Sequence, residues 1–396
     1  MSIIPSVTTL GVSRRTSMPW RSAGAALALS LSFYGGPATA QETFKIGAVC
    51  SLSGPAAGFG KPYCDGFEAY VKTWNARGGA KGRKVELTIH DDETNPITGL
   101  NAFRRLAADP AIRLIWLAIS SNSVMGIKAL ASEVKIPIIS GGGADEIGLP
   151  ANPYLFKVAT GTTDFNIALL EWAKRQGVKR IASITASDTY GQSESSKMRA
   201  LAPKYGIEVV AQETFGNTDT NFNTQLVRVR SAKPDLVFSG ATGRPAILVY
   251  QQYRQLQLPF PLALTQGAFN RAFFDALGGP QAVEGVLSAT NQGSLGDALS
   301  GEAGDAYRKA SAALGRPAIL FETFGWDHGI LAEWAINNSD GGREGLRATL
   351  DRTKELPAIN GPFNFTPDNH IGQDARGLRV TVYKGGKFVD ATSLTK

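Results

Sequence analysis

Two cysteines and three histidines in 396 residues leave little material for a metal centre. His90, His328 and His370 are scattered without ligand spacing, which removes the ordinary zinc patterns. No Gly-x-Ser-x-Gly elbow occurs, and nothing sets a nucleophile beside a base, so no enzyme and no cofactor are expected. Asp91-Asp92-Glu93 could attract a cation, but Thr94-Asn95-Pro96 follows and the stretch reads better as a strand end and turn. Blocks of Lys or Arg and aromatic-basic motifs are also missing, which gives no reason to expect nucleic acid. Cys50 and Cys64 read slightly better as buried thiols on the first strand and first helix than as a bridge. An oxidising compartment would permit the bridge, and spacing alone does not fix their separation.

No segment approaches the twenty apolar residues of a membrane span. The apolar stretch AGAALALSLSFY at 23–34 is too short, and it follows Arg14, Arg15 and Arg21 and precedes Ala38-Thr39-Ala40. That order predicts a secretory leader over 1–40, cleaved before Gln41, and a soluble exported chain. Arg14-Arg15 invites a twin-arginine reading, yet Thr16-Ser17 stands where such signals turn apolar. No cysteine sits at the cleavage site for a lipid anchor. The leader holds three of the 41 basic residues and no acid, so 38 bases face 34 acids in the mature chain, a net +4 that is ordinary for a soluble surface.

A nucleotide loop is missing as well. In SGPAAGFGKP, residues 53–62, Pro55 stands where a Walker A glycine belongs and Pro62 where its hydroxyl belongs. Gly54, Gly58 and Gly60 are spaced wrongly for a dinucleotide turn, and Pro55 removes an amide that a pyrophosphate would use.

What the chain does contain is alternation. From Phe44, apolar β-branched runs (FKIGAVC, KVELTIHDDE, IRLIWLAIS, IPIIS) alternate with amphipathic segments ending in glycine or polar residues. The pattern occupies 44–150 and returns over 178–267, with RIASITA, IEVVAQETF, DLVFSGAT and PLALTQG as strands. ETFGWDHGILAEWAINN predicts a helix packed on the first half, and LRVTVYKGGKFVD a terminal hairpin turning at Gly385-Gly386. The expected fold class is α/β, with two similar lobes, parallel sheets covered on both faces, and ligands beyond the strands' carboxyl ends.

The series FKIGAVCSLSGPAAGFGK, NARGGAKGRKVELTIHDDETNP, SSNS, IPIISGGG, SDTYGQS, FNTQLVRVRSAKPDLVF and EGVLSAT, in this order and spacing, resembles the periplasmic solute-binding proteins of ABC transporters, in the leucine/isoleucine/valine-binding branch. The resemblance covers nearly all of the chain after residue 40. It implies a type I periplasmic binding fold: two Rossmann-like lobes joined by three hinge crossovers. The N-terminal lobe would comprise 41–161 plus 290–363, and the C-terminal lobe 162–289 plus 364–396.

By the same resemblance, Phe59 would offer a ring to the ligand. Ser121, with Ser120 and Asn122 beside it, would hold a ligand carboxylate together with the amides of Gly142, Gly143 and Ala144. Tyr190 would lie over the ligand from the second lobe, with Thr242 nearby. Ala144 and Gln266 match the positions where amino-acid binders of the family carry a hydroxyl and an acid for the α-ammonium. Neither can neutralise that charge. Asp145, Glu146, Asp188 and Asp327 are the acids that could compensate, and Trp326 and Asp327 lie where a helix could reach the cleft. The expected ligand is an aromatic or aliphatic carboxylic acid, 2-oxo acids among them, in preference to an α-amino acid. The implied partner is the ABC permease complex in the inner membrane, the implied site of action the periplasm, and the implied state a monomer. The alternatives are an amino-acid binder and a sensing subunit that presents its closed form to a receptor.

Overall fold

The computed structural model describes residues 43–392, so the expected leader and its cleavage site lie outside the described residues. In chain order the first elements are β1 (Phe44–Cys50), α1 (Ala57–Ala76), β2 (Val85–Asp91), α2 (Pro96–Ala108), β3 (Ile112–Ala118), α3 (Ser121–Val134), β4 (Ile138–Ser140), α4 (Asp145–Gly148) and β5 (Leu155–Lys157). The second series is α5 (Thr162–Arg175), β6 (Arg180–Ala186), α6 (Thr189–Leu201), β7 (Glu208–Phe215), α7 (Asn223–Ser231), β8 (Leu236–Gly240), α8 (Gly243–Gln255), β9 (Leu262–Leu264), α9 (Arg271–Ala276) and β10 (Leu287–Asn291). The chain closes with α10 (Gly301–Leu314), α11 (Leu320–Asn337), α12 (Arg343–Leu350), β11 (Leu378–Lys384) and β12 (Lys387–Asp390).

The first sheet has the order β2-β1-β3-β4-β5 and is parallel throughout. The second has the order β12-β11-β10-β9-β8-β6-β7, parallel except at one edge, where β11 pairs antiparallel with both β10 and β12. Alternate residues of each central strand enter different apolar clusters. Ile46 and Ala48 of β1 face Phe67 and Trp116, whereas Val49 faces Phe103 and Ile115. Burial on both faces is why these strands read as continuous apolar runs.

The expected helix over 322–338 exists as α11 and packs on the first lobe against α1. The two backbones approach closely: a Cβ on Gly66 would stand 2.1 Å from Glu322 O, and one on Gly325 would stand 2.1 Å from Tyr63 O. Any side chain at either position would push the helices apart. The loop expected at 53–62 is shorter than anticipated, because α1 already begins at Ala57 and contains Pro62. Proline this near a helix start removes one hydrogen bond without ending the helix. Gly54, at φ +76, makes the turn before it, and a Cβ there would meet Glu93 O at 2.5 Å.

Cys50 and Cys64 form a disulfide, their Cα atoms 6.6 Å apart, which corrects the preference for free thiols. Early entry into α1 turns Cys64 back over the end of β1, a geometry that spacing did not reveal.

The chain passes between the sheets after β5, after β10 and again before β11. These passages are stitched together by buried polar side chains. Asn291 Nδ2 donates to Thr160 Oγ1 (2.9 Å) and Asn360 O (3.3 Å). Asp327 accepts from Ile359 N (2.8 Å), Asn360 N (2.9 Å), Asn360 Nδ2 (2.9 Å) and Gln373 Nε2 (3.2 Å). Lys157, fully buried, donates to Ala159 O and Thr160 O, and burial pushes its ammonium down to about 8. The boundary expected between 289 and 290 falls inside β10, which pairs with β11 through Asn291. Among the described residues no helix is long and apolar enough to cross a membrane.

Candidate binding cleft

A cavity of about 260 Å³ opens between the carboxyl ends of the two sets of strands. From the first lobe it is lined by Phe59 and Tyr63 of α1, Ser120, Ser121 and Asn122 after β3, Gly141–Gly143 after β4, and Phe321 and Phe324 of α11. The second lobe contributes Asp188 and Tyr190 after β6, Asn217 and Thr218 after β7, Thr242 after β8, and Gln266 after β9. With Pro55 and Ala56 after β1, Thr94 after β2 and Ala159 after β5, segments after all nine strands from β1 to β9 meet at one place, as open parallel sheets dictate.

The structure brings together eight of the nine expected residues: Phe59, Ser120, Ser121, Gly142, Gly143, Tyr190, Thr242 and Gln266. Ala144 is the correction. It is fully buried and does not line the cavity, because its N–H donates to Ser121 Oγ (3.2 Å). An alanine there orients the serine from behind. The Gly142 N–H also turns inward, to Ser140 Oγ (3.3 Å). Of the three expected amides, only that of Gly143 has no acceptor among the described residues. Since Ser121 Oγ already accepts a hydrogen bond, its own proton is free to be donated. Ser120 caps α3 by accepting from Ser123 N (3.2 Å).

Tyr190 crosses the cleft. Its ring lies where a Cβ on Gly143 would stand, 2.6 Å from Cε2, so a glycine is required at 143 for the lobes to meet. Its hydroxyl contacts Glu194 Oε1 (2.7 Å) and Thr265 Oγ1 (2.5 Å), which leaves the ring as its face toward the cavity. Burial pushes the Tyr190 phenol upward and the Glu194 carboxyl up to about 7. Other contacts span the cleft: Thr189 Oγ1 donates to Asn122 Oδ1 (3.2 Å), and Arg271 stands 3.9 Å from Glu322. These contacts tie the two lobes to each other across the cavity.

Sequence reasoning missed most of the aromatic wall. Phe59 was expected, but its ring stands 5.8 Å from that of Phe321, which with Tyr63 and Phe324 forms a cluster at centroid distances of 5.6–6.3 Å. Phe321 and Phe324 lie three residues apart on one helix face, a signal hidden because α11 is apolar nearly all round. Trp326 points elsewhere, edge-on to Tyr70 at 4.9 Å. Asp327 serves the crossovers, and burial pushes its carboxyl up to about 7. Asp145 is tied to Thr163 (2.5 Å) and Lys197 (3.5 Å), and neither it nor Glu146 lines the cavity. Asp188 does, while capping α6 through Gly191 N (2.9 Å) and accepting from Asn217 Nδ2 (2.9 Å).

Known proteins show the same organisation. The family model described as periplasmic binding protein matches residues 43–387. A protein of Pseudomonas aeruginosa named amino acid binding protein is 26% identical over 66% of this chain and 71% of its own. A Leu/Ile/Val-binding protein of Rhizobium johnstonii is 23% identical over 93% of this chain and 98% of its own. The crystal structure of a periplasmic binding protein type 1 from Bordetella pertussis superposes with a TM-score of 0.81 at 22% identity, covering 88% of this chain and 99% of that one. Matched over most of its length and sharing this two-lobed α/β architecture, the chain belongs to the periplasmic binding protein family, with the type I fold.

Proposed function

We propose that this protein is the extracytoplasmic solute-binding component of an ABC importer, and that it captures a small carboxylic acid lacking an α-ammonium. One observation carries the reading. Ser121 O–H and Gly143 N–H are two donors with no acceptor among the described residues, set on a cavity walled by five aromatic rings, those of Phe59, Tyr63, Tyr190, Phe321 and Phe324. Such a pair suits a carboxylate, and the rings suit an apolar or aromatic body. The volume suits one small acid, since it falls near the low end of the ~300–1,000 Å³ typical of ligand pockets.

Capture works by closure. Ligand bound on the first lobe adds contacts to Tyr190, Thr242 and Gln266 on the second, which favours the shut arrangement. The shut form, in the periplasm, is what an ABC permease in the inner membrane would recognise. The second reading, an α-amino acid ligand, is favoured by the relatives' names and by Asp188, the one carboxylate on the lining.

The test is Ser121→Ala. Loss of a hydrogen bond to a charged group should weaken carboxylate binding by about 1.5–3 kcal/mol. Calorimetry on the folded variant reads this directly, and unchanged affinity would remove Ser121 from the site.

A further inference from the structure

Gln266 Oε1 lies 3.1 Å from Asn291 N and 3.4 Å from Thr290 Oγ1. A main-chain N–H can only donate, so the atom facing it has to be the amide oxygen, and the orientation of the side chain is fixed by that requirement. Asn291 is itself held by Thr160 and Asn360 in the crossovers, so the strand end that grips Gln266 is rigidly placed. Gln266 lines the cavity, and its Nε2 has no acceptor among the described residues. The position where amino-acid binders would need a negative charge therefore offers the ligand an NH₂ donor.

We propose that Gln266 selects ligands with an oxygen acceptor on the carbon next to the carboxylate, which makes 2-oxo acids with an apolar or aromatic body the preferred class. The inference rests on the reading that Ser121 and Gly143 hold the carboxylate. A 2-oxo group accepts from Nε2. A plain acid leaves that donor without a partner, and an ammonium, which has three donors and no acceptor, sets donor against donor. The order of affinity is 2-oxo acid, then plain acid, then amino acid.

Three probes with one carbon skeleton test this: phenylpyruvate, 3-phenylpropanoate and phenylalanine, titrated calorimetrically, with the corresponding series built on leucine alongside. The native protein should bind the 2-oxo acid about tenfold more tightly than the plain acid, the usual worth of one buried hydrogen bond. Gln266→Glu keeps the oxygen facing Asn291 and turns a second oxygen to the cavity, so it should weaken phenylpyruvate at least tenfold and strengthen phenylalanine. Gln266→Met, of similar length with no donor, should bind phenylpyruvate and 3-phenylpropanoate alike, and melting curves confirm that both variants fold. Equal binding of plain and 2-oxo acids by the native protein, or the same ratio in all three proteins, overturns the inference while leaving carboxylate capture intact. If no acid of either series binds, both readings fall together.

Discussion

Asp327→Ala should cost about 3–5 kcal/mol of folding stability, although the residue touches no part of the cavity. Its two oxygens accept four donors from the crossover segments, two of them the main-chain N–H groups of Ile359 and Asn360. Alanine leaves those two N–H groups buried without partners, at about 1–3 kcal/mol each, while Asn360 Nδ2 keeps Thr323 Oγ1 and Gln373 Nε2 keeps Gly361 O. The deficit should depend on pH. Burial raises the carboxyl from 3.8 to about 7, so between these values the folded protein holds a proton that the unfolded chain has released. Stability from this group is therefore fully present below pH 4 and is lost as pH rises through 7. Denaturant unfolding should show a larger gap between native protein and variant at pH 5 than at pH 8. A variant as stable as the native protein at both pH values would show that the crossovers do not depend on this residue.

Reduction of the Cys50–Cys64 disulfide should cost about 3 kcal/mol, the chain-entropy value for a loop of roughly fifteen residues. The bridge ties the end of β1 to α1 and closes a sequence separation of 14. Both residues are buried, so the reductant acts slowly on the folded protein, and the Cys50→Ala/Cys64→Ala pair is the better comparison. Phe59 and Tyr63 flank the same turn of α1, so ligand affinity should fall with stability. An unfolding midpoint that ignores both reductant and substitution would mean that the bridge contributes nothing.

The sheets were legible because each central strand is buried on both faces and reads as an apolar β-branched run, as in FKIGAVC and IRLIWLAIS. Short elements such as α4 and α9 carry too few residues to show a period, and the antiparallel placement of β11 beside β10 depends on partners about ninety residues apart. The cleft residues were legible where a strand end and a glycine or serine coincide, as at Ser121 and Gly143. What stayed hidden depends on where a side chain's second atom points. Ala144 is expected to offer its amide to the ligand, whereas its N–H goes to Ser121, and Gln266, expected only as a residue that cannot neutralise an ammonium, has its oxygen taken by Asn291. Asp327 looked like a ligand acid because a helix near the cleft carries it, but the polar crossovers lie on its face of that helix and the cavity does not.

The most direct test of the account is a competition between acids and amino acids of matched shape. Benzoate, phenylpyruvate and the 2-oxo analogue of leucine are titrated into the ligand-free protein beside phenylalanine and leucine. The account predicts that at least one acid without an α-ammonium binds tenfold or more tightly than either amino acid. Tighter binding of leucine or phenylalanine would contradict it, and would assign the ammonium to Asp188 on the cavity lining.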